Sequence, residues 1–313
     1  MRILIVSNRL PIVIEHDGRE WTSHPGTGGL VTALAPILRR WGGLWIGWPG
    51  VGQADNLDTD ALLADFGARQ GYELQPVHLT PEECQGFYHG FSNEIIWPLF
   101  HDLQSRCNFV PDYWTAYQAV EHKFADAVER QVGPDDFIWV HDYHLMGLGR
   151  RLRERGVVNR IGFFLHTPFP PPDMFCKLPW RSEALEGILS HDIVGFQTPR
   201  DLENFNDCVR KLMPRARRRL SRSNLRVIHA GRTCRLAAFP IGIDFDEFAA
   251  AAAAPATAHR LEQLREQTQG RQVILGLDRL DYTKGIPYRL RAFRLALQRY
   301  PELRRAVTLL QVV

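Results

Sequence analysis

The stretch "FIWVHDYHLMGLG", residues 137–149, decides how the chain is read. Apolar residues 137–140 follow a Gly133-Pro134 break and run straight into His141-Asp142-Tyr143-His144. So short a run, between a Gly-Pro break and a new amphipathic pattern, reads as a buried strand. The pattern around residues 145–155 reads as a helix. Strand, polar turn and helix make half of a βαβ unit, and open α/β sheets collect ligands at the carboxyl ends of their strands. Three ionisable side chains and a phenol at that point mark either a polar cap on the next helix or a site.

The same grammar recurs on both sides. Residues 3–6, 44–48, 73–79, 160–165 and 193–196 read as further strands, and 224–239 as a β-hairpin. Leu30, Leu34, Ile37 and Leu38 form a helical stripe stopped by Gly42-Gly43. Trp114, Tyr117, Glu121, Phe124 and Val128 share one side of a long helix. Short apolar strands alternating with amphipathic helices predict an α/β chain with parallel sheets. After "FPIGID" comes a run of alanines, 249–254, and Pro255, which reads as an interdomain connection with a surface helix. A new unit follows: helix 260–267, strand 272–277, loop "DRLDYTKG", helix 287–300, strand 307–313. We expect one domain over 1–240 and the start of a second over 241–313. The last strand suits the middle of a parallel sheet, so the second domain is expected to be incomplete over these residues. The expectation extends to poor solubility or partial disorder beyond about Ala249, and to a stretch that is not a competent enzyme by itself.

Composition narrows the class. At 313 residues, 45% hydrophobic and 23% charged, the chain suits two ordinary globular domains. Five scattered cysteines with no CxxC spacing argue against a zinc ribbon or disulfide framework and suit a cytoplasmic protein. The apolar run in "MRILIVSNRL" is too short for a signal peptide, and no stretch suits a membrane span. Between Cys208 and Ile243 ten Lys or Arg occur and no Asp or Glu. Without interleaved aromatics this basic run reads as a solvated face rather than a nucleic-acid patch.

Polar clusters follow four apolar strands: Asn8-Arg9, His141-Asp142, His166-Thr167 and Asp278-Arg279. One is ordinarily a loop cap; together they favour ligand binding. "PGTGGL", residues 25–30, is a Gly-rich turn opening a helix, where backbone N–H groups can meet an anion; otherwise it is a flexible helix start. In "DRLDYTKG", Arg279 and Lys284 are spaced to clamp two phosphates, unless Lys284 merely pairs with Asp281. His141 and His144 lack an obvious third ligand, so no metal is expected. "GFYHGFSNEIIWPLFH", residues 86–101, reads as a loop whose Tyr88 and Trp97 suit a sugar face, with Phe91 and Phe100 turned to the core. No GxGxxG follows a strand, which argues against a nicotinamide dehydrogenase.

In order along the chain, "VSNRLP", "GGL", "GLWIGWPG", "YHGFSN…WPLFH", "IWVHDYHL", "RIGFFLHTPFP", "DIVGFQT", "FPIGID" and "LDRLDYTKGIP" resemble the trehalose-6-phosphate synthases. The resemblance implies a GT-B glycosyltransferase: two Rossmann-like domains facing a cleft, the second truncated here, with no catalytic metal and no cofactor. It implies transfer of glucose from a nucleotide sugar, usually UDP-glucose, to glucose 6-phosphate with retention, in trehalose biosynthesis. By matching motif, acceptor binding falls on Arg9, Tyr88, Trp97 and Asp142, and donor binding on Gly28, Gly29, His166, Arg279 and Lys284. Asp142 and His166 are the residues closest to the chemistry. Neither nucleic acid nor membrane is an expected partner, and a homo-oligomer is compatible with the family. The alternatives are a glucosylglycerol-phosphate synthase-like enzyme and a noncatalytic sugar-phosphate-binding remnant.

Overall fold

In the computed structural model, β1 (Ile3–Arg9), β4 (Gly43–Trp48), β6 (Phe137–His141), β7 (Ile161–Leu165) and β8 (Ile193–Phe196) are the apolar runs that the sequence marks as strands. The structure describes residues 2–16, 20–52, 58–221 and 224–313; Arg222, within the basic run, lies outside them. The chain divides into two compact units, Met1–Gly242 and Ile243–Val313.

The first unit is built on a nine-stranded sheet that also takes in β5 (Glu73–Pro76), β9 (Arg217–Ser221), β10 (Asn224–His229) and β11 (Arg232–Ala238). Its order is β5-β4-β1-β6-β7-β8-β11-β10-β9, parallel from β5 to β11 and antiparallel beyond. The hairpin expected over 224–239 is present as β10 and β11, extended by the unexpected edge strand β9. Arginines on that edge blunt it against pairing with another chain.

β1 is the pivot. Successive strands run outward from it on one side through β4 and β5, and on the other through β6, β7 and β8. Strand order therefore reverses between β1 and β6, the position where doubly wound sheets open a crevice. Alternate residues feed two cores. Leu4, Val6, Ile138 and Val140 face one that includes Phe87, Phe91, Tyr117 and Phe124. Ile5 and Trp45 face the other with Leu34, Leu38 and Phe66. With both faces covered, β1 is a continuous apolar run rather than an alternating one.

Three local readings change. Residues 86–101 are helical, not a loop: Cys84–Ile96 is a π-helix, continued by Trp97–Phe100. Gly86 and Gly90 let the helix Pro111–Gln131 come close. A Cβ on Gly86 would lie 2.5 Å from the Ala116 Cβ, and one on Gly90 2.5 Å from the Tyr113 ring. Phe91 and Phe100 are buried, as the pattern predicts. The strand expected at 73–79 ends at Pro76, and a separate hairpin, β2 (Ile12–His16) with β3 (Trp21–Pro25), was not anticipated.

The second unit contains helices Phe245–Ala253, Pro255–Thr268 and Ile286–Arg299 and a parallel pair, β12 (Gln272–Leu277) with β13 (Val307–Val312). Among the described residues no helix is long and apolar enough to cross a membrane.

Candidate active site

β1 does not stop at Val6. Its pairing with β4 slips between Val6 and Arg9, a bulge that carries the strand through Ser7, Asn8 and Arg9. Ser7 Oγ donates to the Arg9 carbonyl at 2.8 Å and accepts from Trp45 Nε1 at 2.8 Å. The Arg9 guanidinium lies 4.7 Å from the Trp48 ring centroid, a cation–π contact. Gly50 makes room for it: a Cβ there would meet the Arg9 Nη2 within van der Waals radius.

From Trp48 a chain of ring contacts leads to the other sequence-marked residues. Trp48 packs on Tyr88 with centroids 5.9 Å apart, Tyr88 stacks on His144 at 6.0 Å, His144 on Tyr143 at 4.0 Å, and Tyr143 on Trp97 at 5.9 Å. Tyr88 and Trp97 are half-buried rather than lost in the core. Arg9, Tyr88, Trp97 and the loop holding Asp142 are thus tied into one cluster at the strand ends.

Asp142 itself has φ 71° and ψ 170°, a conformation ordinarily left to glycine. Holding a non-glycine residue there costs roughly 1–3 kcal/mol and persists only where the surroundings enforce it. They do. Its carboxylate accepts backbone N–H bonds from Tyr143, His166 and Thr167, and its own N–H donates to the Phe164 carbonyl at 2.8 Å. Burial outweighs those bonds and raises its pKa to about 6, so at neutral pH the group is mostly ionised and able to accept hydroxyl hydrogen bonds.

Two residues that motif reading did not assign hold this loop from below. Tyr117 Oη accepts from Met146 N at 2.8 Å and donates to the Tyr143 carbonyl at 3.1 Å. Glu121 accepts from Gly147 N at 2.6 Å, and its burial raises its pKa to about 7. A carboxylate within an apolar helical stripe is the signal that could have found Glu121.

The histidines are neutral at physiological pH. Burial lowers His166 to about 4 and His144 to about 3, and holds His141 well below its usual range. His141 Nδ1 lies 3.1 Å from His166 Nε2. Both line an apolar groove of about 460 Å³ on the sheet face, shared with Leu34 and Ile37 of the helix Gly29–Trp41. Gly162 keeps the groove open, since a Cβ there would come 2.9 Å from Phe137 Cζ. Gly28 and Gly29 start that same helix, and no atom lies within 4 Å of a Cβ built on either. An anion has space to approach the helix N-terminus.

Among the described residues, the buried polar atoms without a hydrogen-bond partner include Asn8 Oδ1, Trp48 Nε1, His141 Nε2 and Thr167 Oγ1. All four residues lie at the carboxyl ends of β1, β4, β6 and β7. Unsatisfied buried polar atoms are costly; others, among them Ser92 Oγ, Arg151 Nε and His191 Nε2, lie elsewhere in the fold, so the feature is not confined to this end of the sheet.

In the second unit, Arg279 and Lys284 are exposed in the loop after β12. Asp281 accepts from Thr283 N and Oγ1 rather than pairing with Lys284, while Asp278 pairs with Arg289 at 2.7 Å. Among the described residues neither Arg279 nor Lys284 has a carboxylate partner.

The model of glycosyltransferase family 20 matches residues 1–313. Over 298 residues the chain is 43% identical to the trehalose-6-phosphate synthase of Mycolicibacterium gilvum, covering 93% of this chain and 58% of the relative. It is 38% identical to the UDP-forming alpha,alpha-trehalose-phosphate synthase of Candida albicans, covering 99% and 65%. Among solved structures, the Burkholderia xenovorans UDP-forming enzyme in complex with glucose-6-phosphate superposes with a TM-score of 0.85 at 32% identity, over 100% of this chain and 65% of that one. The Escherichia coli protein bound with UDP-2-fluoro glucose gives 0.83 at 32%, over 99% and 64%. The chain therefore spans about three-fifths of the length of these relatives.

Proposed function

Because this chain belongs to glycosyltransferase family 20, we propose that it acts in transfer of glucose from UDP-glucose to glucose 6-phosphate, with retention, giving trehalose 6-phosphate. The observation that carries the reading is the cluster at the ends of β1, β4, β6 and β7. It combines one exposed guanidinium, half-buried aromatic faces and an ionised, rigidly held carboxylate, which together suit a phosphorylated sugar. Arg9 and Tyr88 meet the phosphate, Trp97 lies against the sugar, and Asp142 accepts bonds from its hydroxyls. His166 touches the donor glucose, and Gly28 and Gly29 approach the donor phosphates at the helix N-terminus. Arg279 and Lys284, free of carboxylate partners, bind the diphosphate.

In the chemistry these roles support, the bond from the anomeric carbon to the diphosphate oxygen breaks as the acceptor oxygen attacks on the same face. The acceptor proton passes to the departing phosphate oxygen, so no enzyme nucleophile is required. Asp142 orients the acceptor and forms no covalent bond. Fixed charges that meet the developing diphosphate charge contribute on the order of 2–4 kcal/mol each.

Calorimetric titration of the chain with glucose 6-phosphate, with glucose as control, tests the acceptor site. Binding of the phosphate sugar that Arg9→Ala weakens is the expected result; equal affinity for glucose overturns it. Formation of trehalose 6-phosphate from UDP-glucose and glucose 6-phosphate tests the reaction itself.

A further inference from the structure

We propose that His141 is a positioning residue which fixes His166 in the tautomer that carries its proton on Nδ1, so that the ring meets the donor sugar as a hydrogen-bond donor. The contact of His166 with the sugar is the reading given above; the tautomer relay is a separate statement about the protein alone.

The two rings face each other through His141 Nδ1 and His166 Nε2, 3.1 Å apart. Each neutral imidazole carries one N–H, so one of these nitrogens donates and the other accepts. The other nitrogen of His141 decides which. His141 is 1% exposed, and its Nε2 has no hydrogen-bond partner. If His166 donated, the proton of His141 would sit on Nε2 as a buried N–H with nothing to bond. Orphaned buried N–H groups are rarer than under-satisfied acceptors. The proton of His141 therefore lies on Nδ1, and its Nε2 is a bare lone pair.

His166 then accepts at Nε2 and carries its own proton on Nδ1. That inverts the preference of a free histidine side chain in water, which favours the Nε2–H form. The tautomer of one ring is set by the bond its other nitrogen makes. The His166 ring is held from two further sides: its backbone N–H donates to Asp142 Oδ1 at 3.3 Å, and Phe164 packs against it at 4.6 Å. Trp139 backs His141 at 4.7 Å, leaving that ring little freedom to turn its other nitrogen toward His166. His166 is half-exposed, and its remaining ring nitrogen, Nδ1, then carries an N–H. A sugar hydroxyl oxygen accepts from it; a Glu or Gln oxygen in its place would offer the opposite polarity.

Long-range nitrogen–proton correlation spectra of the imidazoles read this directly in the free protein, with His166 assigned by the signals that vanish in His166→Gln. We expect a protonated Nδ1 and a bare Nε2 on His166. In His141→Phe the pattern should shift toward the Nε2–H form. In His141→Asn, whose amide nitrogen falls near the position of imidazole Nδ1, it should stay as in the unaltered protein. A proton on Nε2 of His166 in the unaltered protein overturns the proposal, and that measurement needs no variant to fold. An unchanged tautomer in a folded His141→Phe overturns it equally. Titration with UDP-glucose, with UDP as control, addresses the underlying reading separately. Signals of His166 that move with UDP but no further with UDP-glucose remove the sugar contact and leave the relay standing.

Discussion

Strands β6 and β12 are close relatives as sequence. Each is a short apolar parallel strand, and each ends in an aspartate beside a basic side chain, His141-Asp142 in one and Asp278-Arg279 in the other. Their surroundings part them. Ile138 and Val140 are 0% exposed, whereas Ile274 is 48% and Leu275 63% exposed. The turn after β6 is strained and largely buried, its aspartate held by three backbone N–H groups. The turn after β12 rests on its own side chains, through Asp281 to Thr283 and Asp278 to Arg289. The two turns thus differ in what surrounds them: β6 lies between β1 and β7, whereas among the described residues β12 pairs with β13 alone.

The largest effect expected from this contrast is on stability. Leu4 in β1 is 0% exposed and Leu277 in β12 is 70% exposed. Leu4→Ala should cost about 2–5 kcal/mol, by lost burial and the cavity left behind. Leu277→Ala should stay within roughly 0.5 kcal/mol, as surface changes do. Urea unfolding of both variants measures the difference, and equal costs would erase the distinction between the two strands.

Next comes the carboxylate. Asp142→Asn puts an amide N–H₂ among three backbone N–H groups and removes the charge proposed to accept bonds from the acceptor hydroxyls. Hydrogen bonds to a charged group are worth about 1.5–3 kcal/mol, so glucose 6-phosphate affinity should fall roughly 10- to 150-fold. The structure predicts a lower Tm as well, because the same carboxylate braces the loop. An unchanged Kd in calorimetry would leave Asp142 with the bracing role alone.

Glu121 sharpens the same point through pH. Its pKa is raised by burial from the usual carboxylate range to about 7 in the native state. The native protein therefore binds this proton more tightly than the unfolded chain does. Its contribution is fully present below about pH 4.5 and is lost as pH rises through 7. Glutamine keeps an acceptor for Gly147 N and does not titrate. Relative to the unaltered protein, Glu121→Gln should gain on the order of 3 kcal/mol between pH 4.5 and pH 8. Parallel unfolding curves across that range would show that the group ionises without penalty.

How far the sequence carries follows from where its signals are local. Strand runs such as 44–48 and 193–196 are legible because burial on both faces writes an uninterrupted apolar string. The cluster at the strand ends is legible because polar residues there break that string abruptly. Residues 86–101 misread because Gly86 and Gly90 serve a neighbouring helix, and a glycine that admits Tyr113 looks the same in sequence as one that bends a loop. The bulge extending β1 to Arg9, the pinning of Asp142 and the His141–His166 contact join residues through space. Periodicity holds no trace of them. Glu121 stands between, since its place in an apolar stripe was visible while its bond to Gly147 was not.

The smallest expected effect belongs to the exposed turn. Lys284 sits in a short helical turn closed by Gly285, at φ 65°, and is held by its backbone N–H to the Asp281 carbonyl at 3.1 Å. The side chain takes no part in that geometry, so Lys284→Ala should leave the turn and the unfolding midpoint as they are. What changes is one cation free to meet a diphosphate. Exposed charges are screened, which reduces such a contact to about 1 kcal/mol, or roughly fivefold in affinity for UDP. Screening also makes the effect salt-dependent: it should shrink toward zero near 1 M ionic strength, where the Debye length is only about 3 Å. Calorimetry with UDP at low and high salt gives both numbers. A loss of affinity that high salt does not touch would mean that Lys284 is buried against the diphosphate, and the two turns would then be more alike than their exposure suggests.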